Sequence, residues 1–411
     1  MKKILSITAI VLCICLVFAG CNQTANVPVD LMTEITANKV DKIQPDDSFV
    51  SGQYGFSASL LKELAKSEKG NFMFSPLSLT QVLTLTANGA EGDTAKEILA
   101  VLGGTDLNKY NAQLKYYTDT LTKELLSVNS IWYKNDRRLS VKKEFLQTNA
   151  DYFGAASRKI SFDEEGRKLI NDWVKESTAG NIDSIVDKIE KESIMYLINA
   201  LTFESSWSTQ YPDEVIAKGD FITNDGKTVS MDMMSSTESC YINYEGAKGF
   251  IKPYAMANYC FAAILPPENI EAGDYIASLD GEKLKRLIDS SEDAEVLAAL
   301  PKFSFNYSFT ANEALSSLGV KTAFNEDKAD FSKMGKMDGG NIYLSDVLQK
   351  TYITVDNQGT KAGAVAKSEM AVKTSMPRFE KVTLNRPFVF MILDGVYNTP
   401  VFVGVVNNPA Q

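Results

Sequence analysis

The sequence predicts an α+β fold built on more than one sheet. Two observations carry that reading. Apolar residues at three- and four-residue spacing mark helices early in the chain, and short apolar runs bounded by turn signals mark strands through the second half. Helices first and strands mostly later is the order of an α+β domain rather than of alternating βα units.

The early helices are "GFSASLLKELAKSE" and "SPLSLTQVLTLTANGA", the second with Ser75 placed to cap and Pro76 at the first helical position. "DTAKEILAVLG" is predicted to be capped by Asp93 and to stop at Gly103, and "GRKLINDWVKESTAG" reads as another helix. Strands follow at "SIMYLINALTFESSW", "GFIKPYA", "YCFAAILP", "EVLAALPKFSFNYS", "QKTYITVD", "RPFVFMIL" and "TPVFVGVVNN". Their continuous apolar character predicts burial on both faces. "DGVYN" between the last two is a hairpin signal.

Ahead of these elements, Lys2 and Lys3 precede an apolar run from Ile4 to Ala19 that is short for a membrane span and ends in small residues, as an export signal does. Its end, "FAGC", resembles a bacterial lipoprotein signal, which makes residues 1–20 the signal peptide and Cys21 the lipid carrier and mature N-terminus. An ordinary cleaved signal with an incidental cysteine is the alternative. Residues 21–47 read as the lipidated N-terminus and a polar tether, and 48–411 as one folded domain, since no further linker interrupts the pattern. The protein is then exported, and either lipid-anchored at the outer face of a bacterial cell membrane or extracellular.

Composition narrows the chemistry. The chain has 411 residues, 45% apolar and 23% charged, with 42 Lys and Arg against 52 Asp and Glu for a net charge of −10. That is a globular composition without the dense basic block of a nucleic-acid binder. Histidine is absent, which excludes a Ser-His-Asp hydrolase, a Cys-His protease and a His-ligated zinc site. No paired-acid motif of a carboxylate hydrolase is evident, and neither a cofactor nor a metal is expected. Of five cysteines only Cys240 and Cys260 remain after the signal. They fall in strands separated by a third, too far apart to bridge, so two buried free thiols are expected.

The segment "NQGTKAGAVAKSEMAVKTSMPRFEK", residues 357–381, departs from all this. A stretch of this length with little to bury is functional or disordered when it occurs in a compact domain. Its even positions from Thr360 to Met376 carry no charge, whereas Lys361, Lys367, Glu369 and Lys373 share the odd face. Strand side chains alternate with period two, so the segment suits an exposed loop and also a strand laid in a sheet with its uncharged face inward. Gly359 is the expected hinge. A chance pattern in a mobile surface loop is the plain alternative.

At this point the residues resemble the serpin family over nearly the whole mature chain. The resemblance is carried by "NFMFSPLSLTQVLTLTANGAEGDTAKEIL", "YLINALTFESSW", "LPKFSFNYSF", "AFNEDKADFSKM" and "RPFVFMILDGVYNTPVFVGVVNNP", in family order. It implies one domain of three β-sheets and eight or nine helices with an exposed reactive-centre loop. It also implies that the protein is not an enzyme but a suicide-substrate inhibitor of serine proteases, monomeric until it forms a covalent complex. The small-residue hinge of the family matches Gly359, Thr360, Ala362, Ala364 and Ala366. Departures are Asn357 and Lys361 where Glu is usual, and Val365 where Ala is common. Family spacing puts the scissile bond between Lys373 and Thr374, which suits a trypsin-like pocket, although the loop runs about three residues longer than in familiar members. Arg378 and Met376 are weaker alternatives because of Pro377. The resemblance also implies a sheet-opening cluster of Ser75, Ser78 and Asn199, with Gln349 where the family typically has His, so that sheet opening is expected to lack a histidine's pH sensitivity. Trp207 is expected to pack where insertion begins, or simply in the core.

Rival readings are a non-inhibitory serpin acting as a binding or carrier protein, and an inhibitor of a cysteine or subtilisin-like protease. A lipid-anchored solute-binding protein is a third, but it requires two domains around a cleft.

Overall fold

A computed structural model of the chain describes residues 28–360 and 379–410. Among these residues there are nine α-helices and three sheets, of eight, nine and two strands. The α+β architecture expected from the order of helices and strands is the one observed.

The eight-stranded sheet organises the rest. Strand Met195–Phe203 lies at its centre, antiparallel to Leu125–Lys134 on one side and parallel to Asp346–Val355 on the other. All nine residues of 195–203 are buried. One face meets the main core, and the other meets Trp132, Ile160, Ile170 and Val174 beneath helix Glu164–Ser177. Cover on both faces explains the unbroken apolar run, and the strands Phe388–Asp394 and Pro400–Val406 are buried throughout for the same reason. Strands Phe303–Thr310 and Asp346–Val355 differ, because one face of each is less covered: 346–355 alternates half-buried with buried positions, and 303–310 beyond Phe303 alternates exposed with half-buried ones.

Helix Pro76–Gly89 begins as the Ser-Pro signature predicts. Ser75 caps it, its Oγ accepting from the Ser78 N–H at 3.2 Å. The helix predicted to open on Asp93 starts earlier, at Gly92, with Glu91 in the cap position and no side-chain cap bond. Asp93 lies in the first turn, where its charge suits the helix dipole. Gly103 ends the helix as expected, at φ 75°, a conformation costly for residues with a Cβ.

Two further readings are refined. The boundary drawn at residue 47 falls inside the folded unit. Val29–Asp30 pairs with strand Ala156–Ile160, the Asn38 N–H donates to Asp151 at 2.7 Å, the Ile43 N–H donates to the Ala112 carbonyl at 3.2 Å, and Leu31, Met32 and Ile35 pack on the core. Apolar side chains hidden at these positions make residues 29–43 part of the body rather than a free tether. Cys240 and Cys260 are free thiols on strands separated by Ala247–Pro253, as expected, but they are half-buried rather than buried. Burial pushes the Cys260 thiol up to about 11 and raises Cys240 too, so both are protonated and unreactive at neutral pH.

Candidate functional site

Strand 346–355 ends in a tight reversal. The Asp356 side chain accepts from the N–H groups of Gln358 (2.8 Å) and Gly359 (3.1 Å), an Asx turn that brings the chain back on itself. Gly359, the expected hinge, closes this turn. Gly359 already lies in a two-residue strand with Thr360. This short strand sits between Asp346–Val355 and Ser205–Ser206 and is antiparallel to both, with Thr360 opposite Val355 and Ser205.

The turn is held from outside by consecutive carbonyls. Trp207 donates through its indole Nε1 to the Asp356 carbonyl (2.8 Å) and through its backbone N–H to that of Gln358 (2.9 Å), and the Tyr211 N–H donates to the Asn357 carbonyl (2.9 Å). The Trp207 ring stacks on Tyr254 at 4.5 Å. Tyr254 is hydrogen-bonded through its hydroxyl to the Thr360 Oγ1 at 2.6 Å, and burial raises its pKa far above the phenol range, so it stays neutral. Trp207 thus belongs to the core and also holds the turn that leads into Gly359–Thr360. Lys302 reaches Asn357 Oδ1 at 3.3 Å. Behind the turn lies an ion pair that sequence reading missed, Lys252 with Glu238 at 2.8 Å, both side chains under 8% exposed. The Lys252 ammonium lies 4.4 Å from the Tyr211 ring centre and 5.5 Å from that of Trp207.

Further down, strands 346–355 and 195–203 are zipped directly together over six opposed pairs, Asp346 with Tyr196 through Thr351 with Leu201. The predicted cluster lies at this seam. Gln349 is opposite Asn199, and Asn199 is opposite Asn129. The Gln349 Nε2 donates to Asn199 Oδ1 (3.0 Å) and to the Ser75 carbonyl (3.1 Å), its Oε1 accepts from the Ser75 N–H (2.8 Å), and Asn199 donates to Asn129 Oδ1 (2.6 Å). Ser78 Oγ donates to Asn199 Oδ1. Ser75, Ser78, Asn199 and Gln349 are fully buried, so the start of helix 76–89 is bolted across three strands by neutral groups whose partners are all inside the protein. Asn129 and Gln81, which Ser127 and Asn129 contact, extend the row and were not predicted. A polar residue in the strand-like "LLSVNSIWY" was the available signal.

Cys21, Ala362, Ala364, Ala366, Lys373 and Thr374 lie outside the described residues. Among the described residues no cluster of candidate metal ligands occurs.

A family model described as Serpin (serine protease inhibitor) matches residues 51–409. Serpin-Z7 of Hordeum vulgare is 32% identical, covering 86% of this chain and 94% of its own, and human Serpin B10 is 29% identical over 88% of this chain and all of its own. Among solved structures, the thermophilic serpin tengpin in its native state superposes with a TM-score of 0.87 at 41% identity, covering 93% of this chain and 99% of its own. Tengpin in its latent state gives 0.78 at 42% identity, covering 89% and 99%. At nearly equal identity, the native form is the better match to this backbone.

Proposed function

The chain belongs to the serpin family, and from that premise we propose that it is a suicide-substrate inhibitor of trypsin-like serine proteases, with residues 361–378 as bait and the bond between Lys373 and Thr374 as the one cut. The observation that carries the reading is the buried strand Gly359–Thr360, antiparallel to both neighbours. It is the first rung of a strand that can be extended by parting the seam below it.

The observed registers can be continued. Thr360 opposes Val355 and Ser205, so a strand extended by six residues brings Ala366 opposite both Gln349 and Asn199, between the two amides that hold the seam shut. Ala362 and Ala364 then oppose Ile353 and Thr351, on the buried face of strand 346–355. Small uncharged side chains are what that face accepts, since a charge there would cost several kcal/mol. Insertion replaces one parallel ladder with two antiparallel ones, a gain in backbone pairing. While Lys373 remains joined to strand Phe379–Thr383 the segment is held at both ends. Cleavage releases one end. The protease nucleophile, esterified to the Lys373 carbonyl, is then carried down the sheet by residues 360–373, a strand of about 46 Å. Distortion of its active site outpaces deacylation.

The family reading adds a monomer, and the signal-like N-terminus adds an exported protein, either held at the outer face of a bacterial cell membrane through a lipid on Cys21 or extracellular. The non-inhibitory alternative is disfavoured by the small hinge residues. Thyroxine-binding globulin, solved with thyroxine and 21% identical with a TM-score of 0.78 over 88% of this chain and 99% of its own, shares the fold alone. Incubation with an equimolar amount of trypsin should give a covalent band that survives SDS, with the fragment from Thr374 onward released and identified by mass spectrometry. A chain that is only clipped, with trypsin fully active, would establish the carrier reading instead.

A further inference from the structure

The direction in which the N-terminal segment joins the domain follows from the pairings. Strand 346–355 runs toward the bait loop, and 195–203 runs with it. Strand 125–134 is antiparallel to 195–203 and so ends, at Lys134, at the opposite end of the sheet. Strand 156–160 runs with 125–134. Val29–Asp30, antiparallel to 156–160, therefore enters from the end remote from the loop, with Val29 opposite Lys159.

At that end the stretch from Lys134 to Lys143 is basic although the protein is acidic overall. Lys134 closes its strand, Lys159 Nζ donates to the Leu139 carbonyl, and the connection between them leads through Arg137 and Arg138 to Lys142 and Lys143 at the start of helix Lys143–Tyr152. Strand Gly335–Met337 pairs with Leu139–Val141 and adds Lys336 opposite Ser140. Arg138 is taken by Asp136 and Lys336 by Asp338. Lys134 and Lys159 donate to carbonyls and also feel the Asp136 charge, and Arg137, Lys142 and Lys143 are exposed with no acidic partner within 4 Å among the described residues. Of the acids at this end, the exposed Glu144 lies within the patch and the exposed Asp163, Glu164 and Glu165 follow strand 156–160, so the positive excess is local to residues 134–143 and Lys159, in a chain of net charge −10.

We propose that this end of the molecule is a docking surface for an anionic lipid bilayer. Cys21 and Val29 are separated by eight residue steps, which reach at most about 28 Å, so a lipid on Cys21 holds the patch beside the headgroups. A single lipid anchor and a polybasic patch together give the two signals that stable attachment requires. The bait loop, on the far end of strands about 33 Å long, is thereby turned outward to passing proteases. The orientation rests on the lipid reading of Cys21, but the affinity of the patch for anionic lipid does not.

The mature chain with Cys21→Ser, which carries no lipid, tests the surface alone. It should float with vesicles of phosphatidylcholine containing about one third phosphatidylglycerol at low salt, and be released when salt shortens the screening length. The triple variant Arg137→Gln, Lys142→Gln, Lys143→Gln should lose more than about tenfold of this binding, while a control of equal charge change, Lys66→Gln, Lys96→Gln, Lys227→Gln, should lose little. Trypsin complex formation and thermal unfolding should be unchanged in both. Equal flotation on pure phosphatidylcholine, equal losses in the two triple variants, or binding to soluble polyphosphate without binding to vesicles would overturn the proposal. Mass spectrometry of Cys21 in the exported protein decides the anchor separately.

Discussion

The seam between strands 346–355 and 195–203 has two ends that share neighbours but not a state. From Asp346 to Thr351 the strands are paired to each other and bolted by Gln349, Asn199 and Ser75. From Val355 upward they are already parted, with Gly359–Thr360 between them and aromatic rings rather than amides behind. The closed end is held by neutral hydrogen bonds that cannot be kept while a strand passes. The open end is held by contacts to the turn, Trp207 and Tyr211 to three successive carbonyls, that leave the gap itself in place. The sheet is therefore notched, and the amides of Gln349 and Asn199 sit about six residues, or roughly 20 Å, below the notch, where the proposed insertion would meet its barrier.

If the notch is where a strand begins, the sharpest way to break the comparison is to block the next rung. Ala362→Glu would set a carboxylate opposite Ile353, which is 1% exposed. Burying it unpaired costs several kcal/mol at the step that competes with deacylation. Covalent complex with trypsin should fall by more than about tenfold in yield, each kcal/mol of barrier counting several-fold, while cleavage of the loop continues. Undiminished complex on a denaturing gel would show that the even face does not turn inward.

The next largest effect lies behind the open end. Lys252→Met removes one partner of a buried ion pair and leaves Glu238, 7% exposed, with the Ser236 hydroxyl at 2.6 Å as its remaining side-chain donor. A loss of about 3–5 kcal/mol is expected in thermal or denaturant unfolding of the uncut protein. Adding Glu238→Gln should recover most of it, because no buried charge is then stranded. Equal stability of wild type and single variant would mean that the pair contributes nothing to the turn it backs.

The two ends also differ in how far they could be read in advance. Ser75, Ser78, Asn199 and Gln349 were assigned through short motifs that resemble a family, and they meet in space although up to 274 positions separate them. Thr360 was assigned through the family's hinge, with the alternation of 360–376 beside it, and alternation by itself did not separate a strand from a chance pattern in a surface loop. Lys252 and Glu238 were not legible. Each looks like an ordinary strand charge, and only the fold of 228–244 against 247–253 buries them together. The Asp356 turn was missed for a different reason. Attention went to Gly359 for its backbone freedom, whereas the side chain that makes the reversal lay three residues earlier, closing the strand-like "TYITVD". Residues 29–43 read as tether because their apolar residues follow neither a helical nor a strand period, and only the sheet edge at 156–160 and the core beside it give them something to pack on.

The smallest expected effect concerns protons at the closed end. The cluster at Gln349 contains no titratable group, and the chain has no histidine, so the rate of loop insertion should be unchanged between pH 5.5 and 7.5. The carboxyl on the paired rungs is Asp346, whose pKa is raised chiefly by burial, although hydrogen bonds from Tyr196 and Asn312 oppose the rise and the Glu190 charge adds to it. A carboxyl held above its unfolded value of about 3.9 binds its proton more tightly in the folded state, so its contribution to stability declines as pH climbs through the interval between the two values. Asp346→Asn removes that decline. The variant should melt slightly higher than wild type at pH 7, and its advantage should shrink as pH falls into the carboxylate range, because the raised wild-type carboxyl takes up its proton in the folded protein before it does in the unfolded chain. An advantage independent of pH would assign the gain to packing, and the closed end would then be governed by its amides alone.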